Sequence, residues 1–540
     1  MEIRMSQKLN AHPVPGEIAR RHLFADQSST GVLKETQTDE LVIALCGPIG
    51  TPLQDVANQI GEALHATFGY DVETVCVSDF VRQFADASGQ GVTGSPVQRW
   101  KRLASSGAEM RREHGKAVLA ELAVKQIRVS REFDGRDSAS RKFVSRRVCH
   151  IVQSIKNPQE MELLRTVYRE VLYVVGVYSP VSQRESVLRH EGLSSADIAE
   201  LMDPESGAEI AEGQSVDEAF PQCDYFLRSD LGTATELQAH VHRFLHLVLG
   251  TRLITPTREE SAMHAAASAA GNSACLSRQV GAAVADAEGE ILAIGWNDVP
   301  RPFGGLYVTD REKDPSGSSD NRCWNQGGIC HNDEEKRALS AHVLSALSPF
   351  IEESRREEAA QAVFKDQKLR GLLEFSRAVH AEMHALLTAL RHAADRVRGA
   401  RLFVTTYPCH VCARHLIAAG ISEIFFIEPY KKSLAMKLHG DALSEFDHEV
   451  HKVRLIPYEG VAPTRYLSFF RMSPDSRKHD GQVIRIAPRH ASPRLKKSLE
   501  ALPVLEGLVI ESLRQRNVSD RAPRATSTPG EITHESADPT

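Results

Sequence analysis

Four residues in two short segments have the types and the spacing of a metal site. His380 is followed two positions later by Glu382, at the predicted start of a helix. Cys409 and Cys412 are three positions apart at the predicted start of another helix, where free N–H groups favour thiolates. Two thiolates and the His380 imidazole suit zinc and leave its fourth position for water. We therefore predict a catalytic zinc site, with Glu382 as proton carrier and not as ligand.

A Cys-x-x-Cys pair taken alone has other interpretations. It fits a redox pair, or half of a structural zinc ribbon, which needs a second such pair. None of the nine cysteines forms a second pair, so the ribbon is disfavoured and the redox pair stays open. A metalloprotease helix has glutamate directly after its first histidine, whereas Ala381 follows His380 here. The protease interpretation fails on this spacing.

The two segments together, His-Ala-Glu and Pro-Cys-x-x-Cys, form the signature of zinc deaminases. Over about residues 260–470 the sequence resembles the cytidine and deoxycytidylate deaminase superfamily. The resemblance implies that a zinc-activated hydroxide attacks an aminated ring carbon. It also implies that Glu382 passes a proton to the departing ammonia.

Two further segments, LSRQVGAAVAD and GWN, resemble deoxycytidylate deaminases within that superfamily. This resemblance implies a free deoxycytidine nucleotide as substrate. By it, Asn297 hydrogen-bonds the sugar or base, and Arg278 provides a cation for a phosphate, unless it is a plain surface arginine. Backbone N–H groups near Ala381 read the pyrimidine. Tyr407 is a candidate for stacking on the base, with ordinary packing at a strand end as the alternative.

A long insertion separates the GWN segment from the first zinc segment. Residues 298–379 far exceed the usual connection between two elements, which indicates a functional elaboration. The insertion contains Cys323, Cys330 and His331. These three residues are candidates for a second zinc site, although their spacing matches no recognised ligand pattern and free cysteines are the alternative.

The elements around the zinc segments predict a mixed sheet. Apolar segments at 280–286 and 290–297 indicate a hairpin, and a helix is expected near 378–393. The strand-helix-strand pattern from 401 to 429 indicates a parallel βαβ unit. We therefore predict a mixed-sheet α/β/α domain of the cytidine deaminase type over residues 254–475.

The preceding part of the chain predicts another α/β domain. Apolar runs at 40–47, 71–80, 146–155 and 171–178 alternate with helical patterns, which indicates a parallel sheet with helices on both faces. We assign this domain to residues 39–253. A polar leader (1–38) precedes it, and a C-terminal extension (476–540), partly disordered, follows the second domain.

The loop GPIGTPLQ after the first apolar run has the place of a phosphate-binding P-loop. Pro52, Leu53 and Gln54 stand where that motif has glycine, lysine and a hydroxyl residue. Segments such as SIKNPQE resemble nucleoside monophosphate kinase-like folds. We therefore predict a degenerate P-loop, kinase-like domain without kinase activity, in which Gly47, Gly50 and Thr51 are the candidate nucleotide-binding residues.

The segments GGLY and EPYKKSLAMKLHGDA resemble bacterial anti-phage dCTP deaminases, which carry a P-loop-like domain ahead of the deaminase. That order matches this sequence from about residue 40 to 470. The resemblance implies deamination of dCTP, and of dCMP as a further substrate, to deplete dCTP during infection. Because the backbone N–H groups of the degenerate P-loop can still bind an anion, we hypothesise that the N-terminal domain senses a nucleotide or an infection signal, with a purely structural docking domain as the alternative. Related deaminases are commonly oligomeric, so the resemblance also implies a homo-oligomer. The alternatives are a housekeeping dCMP deaminase, an RNA or DNA cytidine deaminase, and a nucleotide-sensing P-loop protein with an accessory deaminase.

Composition and charge further restrict the substrates and the cellular compartment that we expect. The 540 residues carry 65 Lys and Arg against 71 Asp and Glu, a net charge of −6, which disfavours polynucleotide substrates. The sequence shows neither an apolar run of membrane-spanning length nor a signal peptide. An odd number of scattered cysteines suits a reducing compartment. We therefore expect a cytoplasmic protein that does not bind membranes.

Overall fold

The computed structural model of this chain describes residues 36–88, 94–134, 143–202, 215–230, 234–310, 312, 314–366, 369, 371–372, 374–428, 433–472, 477–495, 497–499 and 501–518. Most of the predicted leader and the tail after residue 518 lie outside the described residues. The described strands form two six-stranded sheets and one small hairpin. In this part of the chain, no helix combines the length and apolar character needed to cross a membrane.

The first sheet is built from the apolar runs of the N-terminal half. Its strands in chain order are β1 Leu41–Cys46, β2 Asp71–Cys76, β3 Val148–Ile155, β4 Leu172–Tyr178 and β5 Tyr225–Arg228. They are parallel and lie in the order β2, β3, β1, β4, β5, as the alternating pattern predicted. β1 is buried along its whole length because both faces of the sheet are covered.

Helices cover both faces of this sheet. The described α-helices of this half are α1 Leu53–Ala63, α2 Val77–Ala87, α3 Pro96–His114, α4 Val118–Asp134, α5 Pro158–Tyr168, α6 Val181–His190, α7 Ser195–Met202, α8 Val216–Ala219 and α9 Ala234–Leu249. The prediction of a strand over 71–80 was wrong beyond Cys76. Val77, Phe80 and Val81 recur at helical spacing and are buried, so the chain becomes helical there.

The second sheet is mixed, as predicted. Its strands are β6 Gly281–Ala285, β7 Ile291–Trp296, β8 Arg401–Thr406, β9 Glu423–Glu428, β10 Leu443–Ser444 and β11 Val453–Pro457. They lie in the order β10, β11, β9, β8, β6, β7. β6 and β7 form the antiparallel hairpin, and β8 and β9 are the parallel pair.

The described α-helices of this half are α10 Arg258–Ala270, α11 His331–Leu347, α12 Arg356–Lys365, α13 Ala381–His392, α14 His410–Ala419, α15 Ala435–His439 and α16 Tyr466–Phe470. Helix α13 packs very closely on the hairpin. A Cβ on Gly295 of β7 would lie 2.3 Å from the backbone nitrogen of Ala385 in α13. Only glycine permits this approach, which sets the depth of α13 in the sheet.

The two halves share a core and a sheet edge. After β11, the short strand β12 Gly460–Val461 pairs antiparallel with β5 of the first sheet. One hydrophobic cluster contains residues of both halves, including Phe226 and Tyr458, whose ring centroids are 6.0 Å apart. Strands β1 to β5 precede residue 254 and the second sheet follows it, while β12 joins the first sheet from the far end of the chain. The domain boundary near 254 stays a prediction.

The C-terminal extension returns to the first domain. It contains the small hairpin of β13 Lys478–His479 and β14 Gln482–Val483, and then helix α17 Ala501–Gln515. Helix α17 packs on α4, and its Glu506 accepts a hydrogen bond from Nη1 of Arg131. Nη2 of Arg131 donates to Glu40 over 2.6 Å, so one buried guanidinium joins two carboxylates. The low apolar density after residue 476 did not predict this helix.

Candidate active site

The predicted zinc ligands stand at the starts of two helices. His380 is the N-cap residue of α13, with extended backbone angles of φ −70° and ψ 153°. Cys409 is the N-cap residue of α14, three positions after the end of β8, and Cys412 lies in the first turn. The first N–H groups of each helix have no intrahelical acceptor, so both helix ends favour anionic groups.

The three side chains converge on one point. Nδ1 of His380 lies 3.4 Å from Sγ of Cys409 and 3.4 Å from Sγ of Cys412. Separations of roughly this size result when an imidazole and two thiolates bind one tetrahedral zinc at about 2.0–2.3 Å. Among the residues that the structure describes, this is the only group of three His, Cys, Asp or Glu ligand atoms so close together. The donor set and its geometry fit zinc.

The two cysteines share their protons unequally. A hydrogen bond from Cys412, together with His380, lowers the pKa of the Cys409 thiol to about 4. The pKa of Cys412 is raised, first because its thiol donates to Cys409 and then because it is buried. The hydrogen bond to Cys409 raises the pKa of His380 to about 9. A divalent cation with affinity for sulfur would displace these protons.

Glu382 lies in the first turn of α13 and is only 3% exposed. Burial raises the pKa of its carboxyl group, and the neighbouring His380 opposes this shift. A buried carboxyl with a raised pKa can both accept and donate a proton near neutral pH. This is the property that the sequence analysis required of a proton carrier.

A cavity of about 270 Å³ adjoins this group. His380, Glu382 and Cys409 line it, as do all four residues predicted to bind substrate: Arg278, Asn297, Ala381 and Tyr407. Thr406 at the end of β8 also lines it, and its buried Oγ1 has no hydrogen-bond partner among the described residues. The cavity therefore brings a metal group, a proton carrier and polar groups to one place, which is the usual composition of an active site.

Asn297 has a different immediate role from the predicted one. Its Oδ1 accepts a hydrogen bond from the Val280 N–H at 2.7 Å, and its Nδ2 donates to the Arg278 carbonyl at 2.8 Å. The side chain thus ties the end of β7 to the loop before β6. Asn297 shapes the cavity wall, and contact with a substrate stays a prediction.

Of the other residues predicted to contact the substrate, Arg278 lies at the exposed rim of the cavity and Tyr407 packs against a neighbouring ring. Nη2 of Arg278 donates to Glu428, and the arginine side chain is 46% exposed. The Tyr407 hydroxyl donates to Glu445 over 3.1 Å, and its ring packs edge-on against Phe426. The N–H of Ala381 is at the first helical position and lacks an intrahelical acceptor.

The insertion supplies much of the cavity wall. Its contributing residues include Cys323, Cys330, His331, Asn332, Lys336, Ser376 and Arg377. The first three were predicted as candidate metal ligands, whereas no sequence pattern pointed to the others. The structure does not gather the ligand atoms of Cys323, Cys330 and His331 into a metal group, so a second zinc site has no geometric support in the described residues. Arg377 was detectable in principle, because it lies three positions before His380.

The candidate P-loop residues follow β1, as predicted, but the loop is packed against α6. Gly50 has φ +79°, and a Cβ there would lie 2.9 Å from the carbonyl oxygen of Arg184. Nη1 of Arg184 donates to the Ile49 carbonyl over 3.2 Å. A cavity of about 780 Å³ at this edge of the sheet is lined by Ile49, but not by Gly47, Gly50 or Thr51.

Comparison with known proteins agrees with this geometry. Residues 256–428 match the family model described as the cytidine and deoxycytidylate deaminase zinc-binding region. The match and the His-Cys-Cys group confirm zinc as the predicted cofactor. The match begins at residue 256, so the predicted N-terminal domain over residues 39–253 lies outside it.

Individual relatives cover parts of the chain. ComE operon protein 2 of Bacillus subtilis (strain 168) is 39% identical over 56 residues, 10% of this chain and 29% of that protein. Deoxycytidylate deaminase of Enterobacteria phage T4 is 26% identical over 161 residues, 30% of this chain and 72% of that protein. The crystal structure of dCMP deaminase from the cyanophage S-TIM5, in complex with dCMP and dUMP, matches with 18% identity and a TM-score of 0.22, over 38% of this chain and 99% of that chain. This chain spans 29% of the length of the first of these relatives. The three matches cover 10%, 30% and 38% of this chain.

Proposed function

We propose that this chain, which contains a cytidine and deoxycytidylate deaminase zinc-binding region, hydrolytically deaminates free deoxycytidine nucleotides. The substrates are dCTP and also dCMP, and the products are the deoxyuridine nucleotides and ammonia. One observation carries the proposal: the His380, Cys409 and Cys412 group and the buried Glu382 line the same small cavity. This is the arrangement that hydrolysis of a ring amino group requires.

The protein residues account for the movement of protons. His380, Cys409 and Cys412 would hold the zinc ion, which would supply a Lewis acid that activates water. The Glu382 carboxylate would take a proton from the water as the water oxygen bonds to C4 of the cytosine ring, and would pass this proton to ring N3. Glu382 would then carry the remaining hydroxyl proton to the departing amino group as the C4–N bond breaks, so that cytosine and water give uracil and ammonia. Burial supports both steps, because it raises the pKa of this carboxyl group.

The shape and charge of the site favour a free nucleotide over a polynucleotide. At about 270 Å³ the cavity is at or below the small end of the usual ligand-site range of about 300–1,000 Å³, which suits one nucleoside. The insertion forms one wall, and Arg278, Lys336 and Arg377 add positive charge among the lining residues. The net charge of −6 disfavours a long polyanion.

A substrate panel tests the proposal. Zinc-loaded protein is incubated with dCTP, dCMP, CTP and single-stranded DNA, and uracil products and ammonia are quantified. Preferential turnover of dCTP supports the proposal as stated. A kcat/KM for dCMP far above that for dCTP would favour a housekeeping dCMP deaminase, and turnover of DNA alone would contradict the proposal.

We further propose that deamination depletes the dCTP pool during phage infection. The support is the resemblance of the segments GGLY and EPYKKSLAMKLHGDA to anti-phage dCTP deaminases, although residues 429–432 of the second segment lie outside the described residues. The test compares dCTP pools in infected cells that express the wild type or Glu382→Gln. Equal pools in the two cultures would contradict this role.

We also propose that the N-terminal domain is a regulator that binds an anionic signal such as a nucleotide. The carboxyl ends of β1, β2 and β3 open into the cavity of about 780 Å³, where ligands bind in parallel α/β sheets. Among the described residues, four cations, Arg82, Arg99, Arg111 and Lys156, line this cavity against two carboxylates, Asp86 and Glu191. The missing P-loop lysine argues against kinase activity.

The regulatory proposal is tested on the full chain, because the two halves share a core. Nucleotides are titrated while melting temperature and deaminase activity are followed, in the wild type, Lys156→Met and the surface control Lys116→Met. A nucleotide-dependent change that only Lys156→Met abolishes is expected. Robust kinase activity, or no response to any nucleotide, would contradict the proposal.

A further inference from the structure

The insertion carries an unpaired polar group that faces the active-site cavity. Asn332 is 9% exposed and lines the cavity. Its Nδ2 donates to the Leu372 carbonyl over 3.4 Å, whereas its buried Oδ1 has no hydrogen-bond partner among the described residues. An orphaned buried acceptor costs about 1–3 kcal/mol, which makes Oδ1 of Asn332 a candidate acceptor for a donor that enters the cavity.

A cation lies on the same face of the same helix. Lys336 follows Asn332 by four positions in α11, and residues at this spacing are neighbours on a helix surface. Both side chains line the cavity, together with Cys330 and His331 at the start of the helix. The start of a helix of 17 residues has free N–H groups and a positive dipole end, which favour a phosphate.

A second cation comes from the end of the insertion. Nη2 of Arg377 donates to the Asn321 carbonyl over 3.2 Å, and its side chain lines the cavity. The only carboxylates that line the same cavity in the described structure are Glu382 and Asp298. Both are buried, and Asp298 accepts the N–H groups of Ala274 and Val299. Among the lining residues the charge that the insertion contributes is therefore positive, and Nζ of Lys336 also lies 3.9 Å from Asp333 in the first turn of α11.

The two ends of the insertion are tied to each other and to a buried guanidinium. The guanidinium of Arg322 is bound by Asp320 at 2.6 Å and lies 3.6 Å from Asp298, with all three residues buried. The N–H of Val379 donates to the Asp298 carbonyl over 2.9 Å. These contacts hold the two ends of the insertion against β7, so its recognition groups are preorganised.

We propose that α11 and Arg377 form the sugar-phosphate subsite of the catalytic cavity. Oδ1 of Asn332 accepts a hydrogen bond from the 3′-hydroxyl of the deoxyribose, and Lys336 and Arg377 bind the 5′-phosphate group. The insertion is thus the element that selects a free nucleotide. This inference rests on the proposed deamination for the identity of the substrate, and it assigns recognition to residues that have no part in the chemical step.

The test uses single-turnover reactions of the zinc-loaded full chain, with enzyme in excess, so that slow substrates are also measured. The substrates are dCMP, deoxycytidine, which lacks the phosphate, and 2′,3′-dideoxycytidine monophosphate, which lacks the 3′-hydroxyl. The variants are Lys336→Met, Asn332→Leu and Asn332→Ala. Arg337→Met is the matched control, because Arg337 is the next residue of α11 but is exposed and does not line the cavity.

Lys336→Met is expected to lower kcat/KM for dCMP by about tenfold or more, as for loss of one charge-assisted contact, and to leave deoxycytidine unchanged. Asn332→Leu and Asn332→Ala are expected to erase the preference for dCMP over the dideoxy analogue. Asn332→Leu is also expected to keep or raise the melting temperature, since it removes an orphaned acceptor. Arg337→Met is expected to match the wild type.

Two results would overturn the subsite. One is a loss in Lys336→Met that is equal for dCMP and deoxycytidine, or absent. The other is a preference for the 3′-hydroxyl that survives both Asn332 variants. If the wild type deaminates neither these three compounds nor dCTP, the proposed function fails and the subsite with it. If the wild type turns over normally but the variants leave the ratios of kcat/KM between the substrates unchanged, only the subsite proposal is refuted.

Discussion

Nδ1 of His380 lies 3.4 Å from Sγ of Cys412, although the two residues are 32 positions apart in the chain. The β8 strand and the helices α13 and α14 produce this proximity, because both helices begin at the same place beside the sheet. The metal group is thus a property of the fold of the second domain. Its predicted behaviour follows from that origin.

Loss of one thiolate is expected to empty the site. Cys409→Ala should reduce bound zinc from about one per chain to near zero and abolish deamination, because an imidazole and one thiolate bind zinc weakly. Elemental analysis of the purified protein measures the metal. Cys323→Ala is the control, since Cys323 lines the same cavity outside the metal group and should retain full zinc. Full zinc and turnover in Cys409→Ala would refute the assignment.

Gly295→Ala is expected to displace the helix that carries the site. The added methyl group would meet the Ala385 nitrogen at 2.3 Å, so α13 must move or the sheet must deform. Overpacking of this kind costs about 1–3 kcal/mol in the free energy of unfolding, and it should also weaken zinc binding.

Chemical denaturation and zinc titration measure both effects of Gly295→Ala. Gly507→Ala in α17 is the control, because a Cβ there meets nothing within 4 Å. The control should leave stability unchanged or raise it by about 0.5–1 kcal/mol. A Gly295→Ala variant as stable as the wild type would show that the close packing is not limiting.

Arg131→Met is expected to destabilise the whole chain. It would leave Glu40 and Glu506 buried and unpaired, and breaking a buried pair in this way costs about 3–5 kcal/mol. Urea unfolding is the measurement. Arg82→Met is the control, since Arg82 pairs with Asp79 on the surface and such pairs contribute about 0–1 kcal/mol. Equal effects of the two substitutions would mean that α17 is not held by this network.

The junction between the halves is expected to weaken as the pH rises. Nδ1 of His240 lies 2.5 Å from Glu459, and this hydrogen bond raises the pKa of His240 above its usual 6.5. The protonated form is therefore favoured in the folded state. The resulting stability is fully present below the unfolded pKa, and it is lost as the pH rises through the folded pKa.

His240→Gln isolates this contribution. The difference in free energy of unfolding between wild type and variant should be about 0.2–1 kcal/mol at acidic pH, because the pair is partly exposed. It should shrink towards zero above neutral pH. A difference that does not change with pH would contradict the assignment to His240.

Local patterns predicted the elements of the site, but not how distant segments complete it. The metal ligands and Glu382 follow from spacing at helix starts, and the buried strands from apolar runs such as β1. The sequence alone did not show that the side-chain amide of Asn297 is hydrogen-bonded to the Arg278 carbonyl and to the Val280 N–H. Those contacts depend on how the hairpin meets its preceding loop, which spacing alone does not show.

Non-local packing explains the other differences. Helix α11 lies 33 or more positions before His380, and only the folded insertion brings Asn332 and Lys336 to the cavity. Helix α17 buries Leu502, Val509 and Leu513 in the core of the first half, and its Glu506 pairs with Arg131 of α4. Neither relationship has a local sequence pattern. Long insertions and terminal extensions are therefore where prediction from the sequence was weakest.

The proposed chemistry is tested most directly by the deamination of dCTP by zinc-loaded wild type and by Glu382→Gln, with bound zinc measured in both samples. The wild type is expected to form dUTP and ammonia in equal amounts. Glu382→Gln is expected to keep its zinc and its fold but to lose about 10²–10⁴-fold in rate, the usual contribution of a positioned acid-base group. Near-normal turnover in the zinc-loaded variant, or a wild type with full zinc that deaminates neither dCTP nor dCMP, would refute the proposed chemistry.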